Sequence, residues 1–211
     1  LRKPRCTRGI LDHHRITRRN NTANGVHGKL MHKAMHLFWE KGYHATSIQD
    51  LVAHLGINRA SLYDTFGGKK SLFDQSLELY CCSNKETTLQ FLNNQTSVKG
   101  GLKKLFERLI ENASSDTDKK GCFVVNSTTQ MIPQDNDVKK IVSNNKENFE
   151  SIFYNFILKG QESGEIAKDK DLKVITTLIY TLFSGISVIA KVEPKQEEFL
   201  STVSLVLSLL D

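Results

Sequence analysis

A short polar segment, Asn58-Arg59-Ala60-Ser61, combines residue types that can recognise the edges of DNA bases. The Arg59 guanidinium can pair bidentately with guanine, and each such pair discriminates against a wrong base by roughly 1–3 kcal/mol. Ala60 has no hydrogen-bonding side chain and would allow close approach or contact a thymine methyl group. Ser61 is small enough to reach a base edge or a phosphate. The alternative for Arg59 is a phosphate contact, which positions a protein on DNA without reading its sequence.

Two short helices separated by a glycine-containing turn are predicted to position this segment. Thr46 and Gln49 form a capping box that opens the first helix, which ends at Gly56. Asn58 is a good N-cap for the second helix, which would present residues 58–65 to its surroundings. This spacing is typical of a helix-turn-helix, whose second helix enters a DNA major groove about 12 Å wide.

The rest of the chain is predicted to be helical as well, which gives an all-α fold. Apolar residues recur at three- and four-residue steps, and the resulting helices are expected over residues 29–41, 69–93, 98–112, 121–131, 134 to 160 or 164, 169–190 and 195–210. The run at 121–131 could by itself be a buried strand, but its helical neighbours favour a helix. We therefore expect three helix-turn-helix helices joined to six C-terminal helices.

The excess of positive over negative charge lies in the first 28 residues of the chain. The formal net charge of the whole chain is +6, and a segment with seven Arg or Lys residues against one Asp accounts for all of it. This segment shows no periodicity, which favours a flexible basic arm that contacts a polyanion, with nucleic acid ahead of a membrane surface. The alternative is a solubilising leader. The predicted domains are thus the arm at 1–28, a DNA-binding domain at 29–75 and a second domain at 76–211.

The stretch TSIQDLVAHLGINRASLYDTFGGKKSLF, from Thr46 to Phe73, resembles the TetR (tetracycline repressor) family of bacterial transcriptional regulators. The specific part of the pattern is Leu-Tyr-x-x-Phe-x-x-Lys-x-x-Leu-Phe, and the match covers residues 29–80. GCFVVNS at 121–127 also looks like a segment of one branch of that family. Ala60 stands where many members have glycine, and Val52 and Leu55 stand where alanines are more common, so looser packing beside the turn is expected.

The resemblance implies that the protein is a homodimeric, cytoplasmic, nucleoid-associated DNA-binding regulator and that it is not an enzyme. Two copies of the second short helix would contact a palindromic operator, and a small hydrophobic effector would release the protein, which is usually a repressor in this family. Tyr63 resembles the family tyrosine that contacts a DNA phosphate. Four further residues could do likewise: Thr46, Ser47, Thr65 and Lys69.

Aromatic side chains of the second domain could line an apolar effector cavity with a few polar residues among them. The candidates are Phe106, Phe123, Asn126, Gln130, Phe149, Phe153, Thr177 and Tyr180. Taken one at a time, most of the aromatic residues are equally well explained as core.

The two C-terminal helices, 169–190 and 195–210, carry apolar residues on more than one side. This pattern favours burial against a second subunit as well as against the body of the protein. Central burial within a larger monomer is the alternative.

Other chemistries are weakly supported. His32 and His36 have a spacing that can hold a metal on one helical face, so a metal-responsive regulator is an alternative, as is a thiol-responsive one using Cys81 and Cys82. We expect no metal site and no cofactor. Nucleotide-binding and esterase motifs do not occur, and no histidine follows residue 54. No run of 18 consecutive apolar residues occurs, so we expect no membrane span. A small-molecule-binding protein without DNA binding is a further alternative.

Overall fold

A computed structural model describes residues 23–132, 134–193 and 195–211. Within this part of the chain there are nine α-helices and no strand, which confirms the all-α fold. The helices are α1 (Ala23–Lys41), α2 (Ile48–Leu55), α3 (Arg59–Phe66), α4 (Lys69–Asn93), α5 (Val98–Ser115), α6 (Phe123–Met131), α7 (Asn136–Ser163), α8 (Leu172–Ile189) and α9 (Gln196–Ser208).

The first helix begins earlier than the sequence pattern predicts. α1 starts at Ala23 rather than Lys29, so Gly25 and Gly28, which favour a flexible segment, lie inside it. The ring of His27 in this added part lies 5.0 Å from that of Phe66, at the end of α3. Tertiary packing therefore outweighs the low helix propensity of glycine here. The remainder of the predicted arm, residues 1–22, lies outside the described residues.

The cap of α2 also differs from the prediction by one residue. Ser47, not Thr46, is the N-cap, and it forms the capping box with Asp50 rather than Gln49. Thr46 is fully buried, and its hydroxyl donates a 2.6 Å hydrogen bond to the carbonyl oxygen of Gly42. Its side chain is therefore committed to the preceding turn and cannot cap the helix.

The described chain divides into two compact units, and the division falls within α4, α6 and α7. The first unit comprises α1–α3, α4 as far as Glu86, and the segment Asn126–Val142. Its core is built on Phe38 and Phe73, whose rings meet edge to face at 5.2 Å, together with buried leucines of α2, α3 and α4. This core fixes the inner sides of α2 and α3 and so decides which of their residues face outward.

The second unit comprises Thr87–Val125 and Ser143–Asp211. Its core is a continuous apolar cluster from α4, α5, α7, α8 and α9. Among the described residues one helix, α8, is long and apolar enough to cross a membrane, with a mean hydropathy of 1.7. A third of the residues of α8 are buried, among them Ile175, Ile179 and Ile186, which pack in the core of the unit.

Candidate nucleic-acid interface

The helix α3 exposes one side and buries the other, as predicted. The Asn58 side chain caps it by accepting the N–H of Ser61 at 2.8 Å, and Gly67 ends it. Leu62 and Phe66 are buried. The exposed residues of the segment are Asn58, Arg59, Ala60, Tyr63, Asp64 and Thr65, with Ser61 half-buried. The residues expected to meet base edges therefore share the outward side of a short rod.

Arg59 and Tyr63 lie one turn apart on this outward side. The Arg59 Cζ is 5.8 Å from the centre of the Tyr63 ring, and Tyr63 is 44% exposed. The ring rests against Gly68, where an added Cβ would lie 3.1 Å from Tyr63 Cε1. Gly68 also has a φ of +107°, which side chains of L-residues rarely adopt. Glycine is needed there both for the backbone and for the position of the tyrosine.

Lys69 is the first residue of α4, beside the end of α3. Its Nζ lies 4.4 Å from the centre of the Tyr43 ring, a cation–π contact. Partial burial lowers the pKa of Lys69 from its usual value, and the charge of Asp50 opposes that shift. Sequence reasoning selected Lys69 but missed Tyr43, because an aromatic residue in a turn carries no signal of its own.

Two of the predicted phosphate contacts are engaged elsewhere. Thr46 is buried and bonded to Gly42, as described above. Ser47 is exposed, but its hydroxyl donates to the Asp50 carboxylate at 2.8 Å and accepts the Asp50 N–H at 3.0 Å. Because a phosphate offers acceptors only, neither hydroxyl has a proton available for it in this arrangement.

The capping box also controls the charge of Asp50. Hydrogen bonds from the backbone N–H of Ser47, from its hydroxyl and from the ammonium of Lys41 hold the pKa of Asp50 far below its usual value. The carboxylate is therefore ionised at every physiological pH, and Lys41 lies 3.0 Å from it.

A second ionic group ties the start of α4 to the start of α7 within the first unit. Lys70 Nζ lies 2.7 Å from Asp74 and 3.0 Å from Asp135. Burial alone would raise the pKa of Asp135, but the N–H of Val138 and the ammonium of Lys70 hold it below its usual value. Burial raises the pKa of Asp74 despite its bond to Lys70.

Five of the predicted effector residues, all of them aromatic, belong to the second unit. Four of them, Phe106, Phe149, Phe153 and Tyr180, join Phe183 in an aromatic cluster of the second unit, with ring centres 5.8–6.5 Å apart. Phe123 is buried in the same unit.

The polar members of the predicted set are divided between the two units. Asn126 and Gln130 belong to the first unit, and the Gln130 side chain contacts the turn between α1 and α2. Thr177 is exposed, and its hydroxyl donates to the carbonyl oxygen of Lys173. The placement of Gln130 and Thr177 thus differs from the expectation that they orient an effector.

The metal alternative gains no support. Among the described residues no group of three or more His, Cys, Asp or Glu side chains could hold a metal ion. Burial lowers the pKa of His32, and the ring of His36 stacks on that of Trp39 at 6.1 Å. Cys81 and Cys82 are both half-buried on α4.

Sequence comparison connects this architecture to known proteins. Residues 30–75 match the profile of "Bacterial regulatory proteins, tetR family", and residues 100–203 match "Tetracyclin repressor-like, C-terminal domain". An uncharacterised HTH-type transcriptional regulator YezE of Bacillus subtilis (strain 168) is 32% identical over 86% of this chain and 94% of its own length. The HTH-type transcriptional repressor ComR of Escherichia coli (strain K12) is 28% identical over 84% of this chain and 85% of its own length.

Structural comparison gives the same result. The TetR family transcriptional regulator CifR, in a cysteine mutant complexed with 26-base-pair operator DNA, superposes with a TM-score of 0.77 at 25% identity. The match covers 92% of this chain and all of that one. A TetR family regulator from Cytophaga hutchinsonii superposes with a TM-score of 0.78 at 16% identity, covering 92% of this chain and 96% of that one, which shows the shared fold.

Proposed function

This chain belongs to the TetR family of bacterial transcriptional regulators, and from that premise we propose that it is a repressor released from a palindromic operator by a small hydrophobic effector. Family membership makes it a DNA-binding regulator and not an enzyme. The observation that carries the proposal is the outward side of α3, where Arg59 and its neighbours are exposed while Leu62 and Phe66 anchor the helix in the core.

In this proposal each part of the interface has a distinct task. Arg59 pairs with a guanine. Asn58, the N-cap of α3, and Ala60 and Ser61, in its first turn, contact the adjacent base edges. Tyr63, Thr65 and Lys69 contact phosphates and so fix the register of the helix on the duplex. Thr46 and Ser47 support these residues from within the turn and do not contact the phosphates through their hydroxyls.

The proposed dimer forms through α8 and α9. Both helices carry large apolar side chains that stay exposed in the single chain: Val174, Val188, Ile189, Leu205 and Leu209, each between 46% and 70% exposed. Exposed apolar groups of this size are typical of a surface that a partner covers. A second copy satisfies this need and also supplies the second reading helix that a palindromic site requires.

The remaining proposals concern organisation and control. We assign residues 1–22 to a DNA-contacting arm, residues 23–75, which include the whole of α1, to the DNA-binding domain, and residues 76–211 to effector binding and dimerisation, in a cytoplasmic protein. The aromatic cluster around Phe149 and Phe183 favours an effector with little charge. Effector binding would favour a dimer shape whose reading helices no longer match the operator, which is a coupling free energy between two sites.

Selection of genomic fragments tests the central proposal. The purified chain is incubated with sheared DNA of its source genome at physiological salt, and the retained fragments are sequenced. We expect enrichment of an inverted repeat whose half-sites lie one helical turn, or a multiple of it, apart. Retention that does not differ from random DNA would contradict the proposal.

Sedimentation equilibrium tests the dimer. Leu205→Glu combined with Val174→Glu places charges on the apolar surfaces of α9 and α8, and we expect a dimeric protein to become monomeric at micromolar concentration. Lys104→Glu, an exposed change on α5, serves as the control and should remain dimeric. A wild-type protein that sediments as a monomer would refute the interface.

A further inference from the structure

The last turn of α6 contacts the turn between α1 and α2. The Gln130 side-chain oxygen accepts the backbone N–H of Tyr43 at 3.3 Å. The Gln130 carbonyl oxygen lies 3.4 Å from Nε2 of His44. All of these residues belong to the first compact unit. The α6 helix is thus hydrogen-bonded to a turn of the DNA-binding domain that is 87 residues away in sequence.

Gly42 makes this contact possible. Its φ is +77°, in the left-handed region that favours glycine. A Cβ at this position would lie 2.6 Å from the Gln130 Oε1 and 2.8 Å from its Nε2. The amide of Gln130 therefore packs against the Cα of Gly42 in the space that a side chain would occupy, which sets the distance between α6 and the turn.

The residue held by Gln130 is the aromatic support of Lys69. The Tyr43 ring contacts Phe73 of α4 edge to face at 5.0 Å on one side and the Lys69 ammonium at 4.4 Å on another. The phenol remains neutral, because burial and the carboxylates of Asp74 and Asp135 raise its pKa against the effect of Lys70. The ring thus holds the cation that we assign to a DNA phosphate.

A second contact holds the same segment in place. Asp135, which follows α6, pairs with Lys70 at 3.0 Å and also accepts the N–H groups of Asp137 and Val138 at the start of α7. The segment from α6 to α7 is therefore attached both to the α1–α2 turn and to the first turn of α4. Tyr43 and Lys69 belong to the two elements that these contacts join.

We propose that Gln130 is a positioning residue for operator binding: it holds the Tyr43 backbone, Tyr43 supports Lys69, and Lys69 contacts a DNA phosphate. This proposal rests on the function proposed above and adds to it a defined route from α6 to the DNA surface. Gln130 itself contacts no DNA.

The dependence of operator affinity on salt measures this route directly. Each lost phosphate contact makes the slope of log affinity against log salt shallower by about 0.9. The factor by which affinity falls between 50 and 200 mM salt is then about 3.5 times smaller than in wild type if one half-site loses its contact, and about 12 times smaller if both do. We expect Lys69→Ala and Gln130→Leu each to show this loss on the selected operator. A purely structural role for Gln130 would lower the affinity at all salt concentrations and leave the slope unchanged.

Conservative variants separate the links of the route. Gln130→Glu keeps the acceptor for the Tyr43 N–H, and Tyr43→Phe keeps the ring under Lys69, so both should retain most of the wild-type slope. Tyr43→Leu keeps the backbone N–H but removes the ring, and it should lose the slope like Gln130→Leu. Thr129→Ala, an exposed neighbour on α6, is the control and should behave as wild type.

The double variant Lys69→Ala/Gln130→Leu decides the outcome. If Gln130 acts through Lys69, the double variant has the slope of Lys69→Ala alone; additive losses would overturn the proposal. A wild-type slope in Gln130→Leu would also overturn it, as would a wild-type slope in Tyr43→Leu. If Gln130→Leu fails to fold by circular dichroism, Gln130→Ala takes its place, with the same expected loss of slope. A wild-type protein without operator affinity would instead contradict the proposed function itself.

Discussion

Replacing Arg59 by alanine tests the reading helix most directly, because the structure separates its effect on DNA from its effect on folding. Arg59 is exposed at the first residue of α3, and its visible interaction is the 5.8 Å contact with the Tyr63 ring. An exposed cation–π contact contributes about 0.5–1 kcal/mol. Arginine and alanine have similar helix propensities. We therefore expect the melting temperature to fall by only a few degrees.

The expected loss of operator affinity is much larger. A bidentate pair between arginine and guanine contributes roughly 1–3 kcal/mol of discrimination, and a dimer would use two such pairs. The loss is then roughly 2–6 kcal/mol, which corresponds to a factor between about 30 and about 20,000 in affinity. Affinity for unrelated duplex DNA should change little, since base contacts do not contribute to it.

Fluorescence anisotropy with labelled operator and with a scrambled duplex, each over a range of salt concentrations, measures both quantities. Arg59→Lys is the informative companion, because lysine keeps the charge but loses the bidentate geometry. If Arg59 contacts a base, both variants lose discrimination and keep the salt slope. If it contacts a phosphate, Arg59→Ala loses about 0.9 of slope per half-site and Arg59→Lys retains it.

The control is Lys104→Ala, which removes one exposed positive charge from α5 of the second unit. It should leave the preference for operator over scrambled duplex unchanged. Wild-type affinity and wild-type discrimination in Arg59→Ala would refute the assignment of α3 as the helix that reads the operator.

Three further changes have defined outcomes. Deleting residues 1–22 should lower the salt slope of operator binding by several units if the basic arm contacts phosphates, and an unchanged slope would identify a passive leader. Gly68→Ala should destabilise the fold by about 1–3 kcal/mol and weaken operator binding, because an alanine is strained at this φ and its Cβ displaces Tyr63. Gly28→Ala is the control, since its Cβ would meet nothing within 4 Å, and thermal unfolding should show no such loss. The folded-state pKa of Asp50 lies below its unfolded value, so the ionised carboxylate stabilises the fold above about pH 4, and this stabilisation is lost as the pH falls. The melting temperatures of wild type and Asp50→Asn should therefore differ at pH 7 and converge in acid. A difference that does not change with pH would contradict this.

Local signals in the sequence determined the architecture of the DNA-binding domain. Asn58 predicted the start of α3, and apolar residues at three- and four-residue steps predicted the helices that follow it. These features depend on residues three or four positions apart, because caps and helical periodicity act within one turn. The same reasoning applied to the remaining helices, whose bounds mostly lie within a few residues of those predicted.

The assignment of the α2 cap shows where local reasoning ends. Thr46 and Ser47 are adjacent and chemically similar, and either could cap a helix. The burial of Thr46 against the turn at Gly42 selects Ser47. Burial depends on the whole core, so it cannot be deduced from the neighbouring residues.

Tertiary structure alone decided which residues contact and support Lys69 and the turn that carries Tyr43. Gln130 belonged by composition to an effector pocket, yet packing places its amide on Gly42 and Tyr43, far away in sequence. Asp135 reaches Lys70 in the same way. Contacts of this kind are set by how helices pack once the core has formed, and no local pattern records them. The sequence by itself therefore determined which side of α3 is exposed, whereas the packing of the helices decided which residues contact the turn between α1 and α2.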